Sequence, residues 1–247
     1  MTTVPVRPHP TLAKYYATDD DRAGMVRNLF DSGAPHYEWV CKFMSMGTGE
    51  TYRAECLVKA GLTTGMRVLD VATGTGLVLR SATTLVGPTG VAIGLDPSSG
   101  MLRENRAKCS APLVQARGEH LPFATASFDM VCMGYALRHV FDLNTLFAEY
   151  TRVLKPGGRV MILELTQPRS APARWLNRFF LRTVVPGVAQ LSTGRPEARR
   201  MMDYFWDTIE HCVPPETILA SLREAGFAGV TRDVRGSVLS QYLATRP

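Results

Sequence analysis

The 247-residue sequence lacks several features that mark other classes of protein. No apolar run approaches the ~18 residues that a bilayer-spanning helix needs, and the opening stretch MTTVPVRPHPTLAKYY has no apolar core of a signal peptide. The five cysteines are scattered and include no CxxC pair, so we expect reduced thiols in a cytoplasmic protein. No histidines, cysteines and carboxylates share the spacing of metal ligands, which predicts no metal. Basic and aromatic residues do not interleave, which predicts no nucleic-acid partner.

The net charge of +6 is concentrated in one segment. Residues 169–200 hold seven arginines, no lysine and one acid, Glu197. Three of the arginines recur at i, i+4 and i+8 and so share one stripe of a predicted helix: Arg174, Arg178 and Arg182. An apolar row lies beside that stripe: Trp175 and Phe179. A solvated helix face is the simplest interpretation, and an anionic membrane surface or an acidic partner are the alternatives.

From about residue 66 onward, short apolar strands alternate with helical stretches. The predicted strands are 67–72, 90–96, 111–117, 128–134 and 158–165, and the predicted helices between them are 77–85, 101–109 and 143–154. Continuous Val, Ile and Leu runs separated by helices predict a parallel sheet covered on both faces. Right-handed crossovers then give an α/β, doubly wound, Rossmann-like fold that binds ligands at the carboxyl ends of its strands.

The flanking regions read differently from this alternating pattern. Residues 1–60 look helical and rich in aromatic side chains, and we expect them to form a lid above the strand ends. Residues 61–247 then form the cofactor-binding domain, with a helical insertion at about 170–212 before a last helix near 215–225. The tail predicts a β-hairpin that turns at the Arg-Gly pair 235–236 and closes the sheet edge.

The stretch LDVATGTG follows the first predicted strand and contains a glycine turn into a helix. A dinucleotide fingerprint needs a third glycine where this chain has Leu79, and the G-K-[ST] of a P-loop is absent. Asp70 at the strand end would repel a pyrophosphate but favours a cationic sulfonium or ammonium group. Asp96, which ends the second strand, can accept both hydroxyls of a ribose. These features favour S-adenosylmethionine (SAM) over a nicotinamide or flavin.

The stretches LFDSGAPHYEWVCKFMSMG, VLDVATGTG, LPFATASFDMV, GYALRHVFD and EYTRVLKPGGRVMILELTQP resemble the class I SAM-dependent methyltransferases. Within that class they resemble the UbiE-type family, which C-methylates the ring in ubiquinone and menaquinone synthesis. The resemblance covers about 28–235 and implies methyl transfer from SAM, with S-adenosylhomocysteine as product and no metal. Together with the glycine turn it predicts these cofactor-binding residues: Asp70, Ala72, Gly74, Thr75, Gly76, Asp96, Met101, Arg117, Gly118, Glu119 and Gly134.

Three positions depart from the family's pattern. Ala72 stands where the class has the first glycine of the loop. Arg117 replaces the usual Asp or Asn that accepts from the adenine amino group, so this contact falls to Gly118 and Glu119. His139 replaces an asparagine beside the retained Arg138. These departures predict a relative that methylates a ring nitrogen or carbon of a small planar heteroaromatic metabolite, as in the toxoflavin-pathway branch. The alternatives are a quinone C-methyltransferase at the membrane surface and a non-catalytic SAM-binding module.

The acceptor site is expected around the end of the fourth strand. Arg138, His139 and Tyr135 are the predicted catalytic residues: the arginine would stabilise a ring oxyanion and the histidine would take its proton. Four residues are expected to touch the acceptor: Tyr135, His139, Tyr204 and Trp206. Each of these predicted catalytic and acceptor-binding residues also has a purely structural interpretation. Arg138 can form an ion pair with an acid such as Glu164, His139 can be a hydrogen-bonded strand-end residue, and the other side chains can pack in the core.

Overall fold

The computed structural model describes residues 5–168, 170–187 and 196–247. Within these ranges, the helices and strands in chain order are α1 (Asp19–Met44), α2 (Gly49–Lys59), β1 (Arg67–Val71), α3 (Leu77–Val86), β2 (Val91–Asp96), α4 (Ser99–Arg106), β3 (Leu113–Gln115), β4 (Phe128–Gly134), α5 (Leu143–Val153), β5 (Leu154–Leu165), α6 (Ala171–Phe179), α7 (Pro196–Glu210), α8 (Pro215–Glu224), β6 (Ala228–Arg235) and β7 (Leu239–Thr245). A 3₁₀ turn (Leu137–His139) follows β4, and a π-helical turn (Phe180–Val184) follows α6.

The sheet has seven strands in the order β3-β2-β1-β4-β5-β7-β6. The first five pair in parallel, and β7 pairs antiparallel with both β5 and β6. The chain adds β2 and β3 on one side of β1, and then β4 and β5 on its other side. This change in strand order between β1 and β4 creates the crevice where doubly wound sheets bind ligands. The predicted fold class and the predicted C-terminal hairpin are confirmed, and Gly236 and Ser237 turn the hairpin with positive φ angles of 60° and 64°.

The core lies on both faces of the sheet, which explains why its central strands are apolar throughout. One buried cluster packs α5 and α8 against the sheet, through side chains such as Phe147 and Leu222. The other packs α2 and α3 against the opposite face, through Leu57 and Leu79. Burying strands on both faces removes the period-two polarity of an exposed sheet.

Several boundaries differ from the sequence-based prediction, and β5 in particular begins at Leu154 instead of residue 158. The third strand is limited to Leu113–Gln115 because only this segment pairs, in parallel, with β2. Helix α4 begins earlier than expected because the Ser98 side chain accepts a hydrogen bond from the backbone N–H of Met101, which caps the helix at Ser99.

A third buried cluster lies over the carboxyl ends of the strands, where α1 packs against α7 through Leu29, Val40, Met201 and Phe205. The polypeptide before α1 is tied to the same region, since Val6 donates to the Asp142 carboxylate over 2.7 Å. Helix α2 instead packs on a sheet face, so only the first part of the predicted lid covers the strand ends. That the N-terminal region acts as a lid stays a prediction.

Candidate active site

The glycine turn after β1 has the backbone geometry that its sequence predicts. Gly74 and Gly76 have positive φ angles of 55° and 90°, and a Cβ atom on Gly76 would lie 2.4 Å from Oδ1 of Asn105. Ala72 has a φ of 55°, a conformation that favours glycine. The Asp96 carboxylate accepts from the backbone N–H of Gly74 and of Ser98, each over 2.8 Å. The end of β2 and the glycine turn are therefore one hydrogen-bonded unit.

Asp70 is buried below this turn, with 1% of its surface exposed. Its carboxylate accepts from the Thr73 hydroxyl over 2.7 Å, and Cys132 Sγ lies 3.5 Å away. Burial raises the pKa of Asp70 to about 7 and the pKa of Asp96 to about 6. A cation placed beside these carboxylates would favour their ionised forms.

Asp70 lines a small cavity together with a buried arginine, Arg53. The Arg53 guanidinium lies 5.5 Å from the centre of the Tyr135 ring. A buried acid and a buried base thus face one space between β1, β4 and α2. Opposite charges that line one cavity suit a zwitterionic amino-acid group.

A larger cavity of about 320 Å³ opens beside it at the strand ends. Eight of the predicted cofactor-binding residues line it: Ala72, Gly74, Asp96, Met101, Arg117, Gly118, Glu119 and Gly134. Two others, Asp70 and Thr75, line the small cavity, and Gly76 lines neither. The structure therefore brings most of the predicted cofactor-binding set to one place.

Arg117 and Glu119 line the part of the cavity where a side chain is expected to accept a hydrogen bond from the adenine amino group. Arg117 is half exposed, and its Nε lies 3.6 Å from Glu119 Oε2. Glu119 is buried, and its Oε1 accepts from the backbone N–H of Phe141 over 2.6 Å. Arg117 cannot accept this hydrogen bond, but two residues later Glu119 provides a carboxylate that is fixed in place.

The far side of the larger cavity contains Tyr135 and His139. Tyr135 adopts a positive φ of 61°, a strained conformation for a non-glycine residue. The His139 ring lies 5.1 Å from the Phe30 ring and stacks on Tyr204 at 5.5 Å. Both ring nitrogens of His139 are buried without a hydrogen-bond partner among the described residues. Burial, followed by the nearby charge of Arg138, lowers the pKa of His139 well below its usual 6.5, so the ring is neutral at pH 7.

Arg138 does not reach the cavity, contrary to the expectation that it faces the acceptor. Its Nη1 donates to Glu164 Oε1 over 2.5 Å and to the backbone oxygen of Tyr135 over 2.8 Å. Its guanidinium lies 4.3 Å from the centre of the Phe205 ring, and both partners of the ion pair are fully buried. The reason is that β5, the neighbouring strand of β4, carries a buried carboxylate that needs a cation. The alternative ion pair with Glu164 is the arrangement found.

Tyr204 and Trp206 also lie outside the lining of the cavity. Tyr204 is fully buried behind His139, and Trp206 is 3% exposed with its Nε1 donating to the Glu210 carboxylate over 2.9 Å. These two side chains point in different directions because residues two apart on a helix lie on different faces. Tyr204 belongs to the buried cluster between α1 and α7, and Trp206 is a buried side chain of α7.

Helix α1 supplies lining residues that the sequence analysis did not assign: Arg22, Val26, Arg27, Phe30 and Tyr37. Asp31 fixes this helix on α4, since its Oδ1 accepts from the Ser98 hydroxyl and from the Gly100 N–H over 2.6 and 2.8 Å. The aromatic content of the N-terminal region was the available signal for Phe30 and Tyr37. Arg22 belongs to no motif and had no such signal.

The three arginines of the predicted stripe, Arg174, Arg178 and Arg182, are exposed. The apolar row beside them is exposed as well. Trp175, Leu176 and Phe179 on α6 are 68%, 61% and 49% exposed, and the Trp175 and Phe179 rings stack at 5.9 Å. Arg178 lies 3.5 Å from the Glu210 carboxylate. Arg169 and Arg195 lie outside the described residues.

Among residues 5–168, 170–187 and 196–247, no helix is long and apolar enough to cross a bilayer. Among the same residues, no group of three or more histidines, cysteines and carboxylates could hold a metal ion.

Comparison with known proteins matches residues 16–244 to the model of the ubiE/COQ5 methyltransferase family. The chain is 31% identical over 237 residues to the ubiquinone/menaquinone biosynthesis C-methyltransferase UbiE of Pseudomonas aeruginosa (strain LESB58), covering 93% of this chain and 91% of that protein. It is 30% identical over 230 residues to the demethylmenaquinone methyltransferase of Lactococcus lactis, covering 90% and 89%.

Solved structures of SAM-dependent methyltransferases share the fold. A possible histamine N-methyltransferase from Thermotoga maritima superposes with a TM-score of 0.62 at 17% identity, over 90% of this chain and 99% of that one. Phosphoethanolamine N-methyltransferase 2 of Haemonchus contortus, in complex with SAM, gives 0.62 at 17% identity, over 88% and 57%.

Proposed function

The chain belongs to the ubiE/COQ5 methyltransferase family and is a SAM-dependent methyltransferase, and from this premise we propose that it methylates a ring carbon of a quinol. The relatives at about 30% identity are named for ubiquinone and menaquinone synthesis. They favour the quinone alternative of the sequence analysis over a heteroaromatic acceptor of secondary metabolism, which none of these relatives supports. The observation that carries the proposal is one continuous cavity with a polar cofactor side and an aromatic acceptor side.

The residues at the strand ends fit SAM in charge and in shape. Asp96 would hold the ribose hydroxyls, and Gly118 and Glu119 would meet the adenine. Asp70 and Arg53 face the small cavity with opposite charges, as the ammonium and carboxylate of an amino acid require. The absence of a side chain at Gly134 keeps the backbone between the two cavities accessible, since this residue lines both.

SAM supplies a methyl group made electrophilic by its sulfonium sulfur. The chain's own contribution is then to orient the acceptor ring and to exclude water, and orientation of this kind can contribute about 7–11 kcal/mol. Phe30 and Tyr37 provide apolar walls for a flat ring, and α1 covers the site from solvent. A ring carbon becomes nucleophilic when the adjacent hydroxyl ionises, which for a phenol of pKa about 10 needs stabilisation at neutral pH.

The proposal is tested with the purified protein, methyl-labelled SAM and a short-chain demethylmenaquinone that has been reduced to the quinol. We expect mass spectrometry to find the label on a ring carbon of the quinol. The oxidised quinone is the matched control, and it should remain unlabelled because its ring is electron-poor. The proposal is overturned if the protein binds SAM and labels a ring nitrogen of a heteroaromatic acceptor but leaves the quinol unlabelled.

A quinol with a polyprenyl chain resides in a membrane, which gives α6 a role in the same proposal. Its exposed Trp175, Leu176 and Phe179 form an apolar surface, and Arg174 and Arg178 border it with positive charge. This combination matches an anionic bilayer surface, into which aromatic and apolar side chains insert while arginines meet the head groups.

A further inference from the structure

Arg22 is a buried cation on the wall of the larger cavity, with 3% of its surface exposed. Its Nη2 lies 3.0 Å from His9 Nε2 and donates to the backbone oxygen of Arg138 over 3.2 Å. Its Nε is buried and has no hydrogen-bond partner in the part of the chain that the structure describes. The capping box formed by Thr18 and Asp21 starts α1 just before this residue and fixes its position on the helix.

The charge of Arg22 is not neutralised by any carboxylate among the side chains that the structure describes. Arg138 differs in this respect, because Glu164 pairs with it. A buried charge without a counter-ion is costly, so proteins keep such a group where a ligand supplies the opposite charge. Arg22 therefore predicts an anion in the cavity.

The groups that face Arg22 cannot supply this anion. His9 is held neutral by burial, which lowers its pKa to about 4, and its Nδ1 lies 2.7 Å from the backbone oxygen of Pro10. Burial raises the pKa of Tyr204 to about 12, and the Tyr16 ring lies 6.0 Å from the Arg22 guanidinium. At neutral pH His9 and Tyr204 are therefore uncharged.

His139 lines the same cavity, and neither of its ring nitrogens has a hydrogen-bond partner within the described ranges. A neutral imidazole carries one N–H donor and one acceptor nitrogen. It can therefore donate one hydrogen bond to an oxyanion that Arg22 also contacts.

We propose that Arg22 and His139 form an oxyanion subsite, so that the acceptor is a ring whose hydroxyl binds in its ionised form, with the proton released to solvent. This inference rests on the proposed function, since it assumes that the cavity holds the methyl acceptor. It adds the side chains that would hold the ionised hydroxyl next to the methylated ring atom. It also gives the role first expected of Arg138 to a different arginine.

The test compares Arg22→Gln with the wild type in kcat/KM for the quinol between pH 6.5 and pH 9.5. We expect Arg22→Gln to lose about tenfold to a hundredfold at pH 7, the range for a hydrogen bond to a charged group. The loss should shrink as the pH rises, because the acceptor then ionises in solution. Arg22→Lys should retain part of the activity, and SAM affinity should stay within about threefold in both variants.

Arg159→Gln is the matched control, because this exposed arginine lies at the opposite end of the sheet, next to Ala60, and should leave kcat/KM unchanged. An equal loss at every pH, together with weaker SAM binding, would show that Arg22 is only structural. Unchanged kcat/KM in a folded Arg22→Gln variant would also overturn the proposal.

A binding measurement separates this inference from the proposed function. The probe is 2-hydroxy-1,4-naphthoquinone, an anion at neutral pH, titrated by calorimetry into the protein with S-adenosylhomocysteine present. Wild type should bind it at least tenfold more tightly than Arg22→Gln even where the quinol is not the true acceptor. Equal affinities would overturn the oxyanion subsite and leave the quinol assay unaffected.

Discussion

Replacement of Asp70 by asparagine should stabilise the ligand-free protein at pH 8 while it weakens SAM binding. Burial raises the pKa of this carboxyl from 3.8 to about 7. Between these two pH values the folded protein keeps a proton that the unfolded chain has released. Stability is therefore lost as the pH rises through this window, and the whole cost is present above pH 7.

The magnitude follows from about 1.4 kcal/mol for each pKa unit. The ionised carboxylate costs the fold about 4 kcal/mol at pH 8, and at pH 5 the remaining cost is below about 2 kcal/mol. The pKa of about 7 already includes the hydrogen bonds with Thr73 and Cys132, which favour the ionised carboxylate, so they need no separate contribution. The stabilising effect of Asp70→Asn should thus be about 2–3 kcal/mol larger at pH 8 than at pH 5.

Urea unfolding of both proteins at the two pH values measures this difference, with SAM left out. Added SAM should raise the midpoint of the wild type and should raise that of the variant much less, because the variant has lost a charge that favours the bound cation. Asp129→Asn is a control of opposite sign, since Lys155 and the Arg67 N–H hold the pKa of Asp129 below its usual value. That variant should be less stable than the wild type at pH 8.

The reasoning is refuted if Asp70→Asn is no more stable relative to the wild type at pH 8 than at pH 5. It is also refuted if the variant binds SAM as tightly as the wild type does. The first result would mean that the buried carboxylate does not cost the fold stability, and the second that it does not face the cofactor.

Three further predictions concern the acceptor side, the core and the surface. His139→Asn should leave SAM affinity within about threefold but change kcat or the choice of acceptor, and a collapse of SAM binding in calorimetry would instead place His139 in the cofactor site or the core. Glu164→Gln should lower the free energy of unfolding by about 3–5 kcal/mol, because it leaves the fully buried Arg138 without a counter-ion, whereas Asp233→Asn, in an exposed pair, should change it by about 1 kcal/mol or less; similar values in urea unfolding would contradict this. In liposome flotation the protein should bind vesicles that contain phosphatidylglycerol and not pure phosphatidylcholine, binding should weaken at high salt, and Trp175→Glu with Phe179→Glu should abolish it; flotation unaffected by this double change would exclude α6 as the contact.

The sheet could be predicted from the sequence because its signals are local. Apolar runs such as 128–134 need burial on both faces, and β4 has those bounds. The glycine turn could be placed for the same reason, since Gly74 and Gly76 adopt the positive φ angles that their residue type allows. The two acids followed from the turn's position: Asp70 is the last residue but one of β1, and Asp96 ends β2.

The acceptor side could not be predicted because it depends on contacts between distant segments. Arg138 looked catalytic within ALRHV, but its partner Glu164 lies on β5, and its Nε donates to Thr208 on α7. Arg22 acquires its place only when α1 folds over the strand ends, 116 residues from the Arg138 carbonyl that it contacts. No local pattern reports which of two buried arginines has a carboxylate beside it.

The sequence by itself determined the α/β class, the strand ends and the cofactor-binding turn, because each arises from hydrophobic periodicity and backbone preferences within a few residues. Only the tertiary structure decided which side chains surround the acceptor. That choice depends on how buried charges pair, and pairing is settled by three-dimensional packing: Glu164 neutralises Arg138 inside the core, while Arg22 keeps its charge at the wall of the cavity.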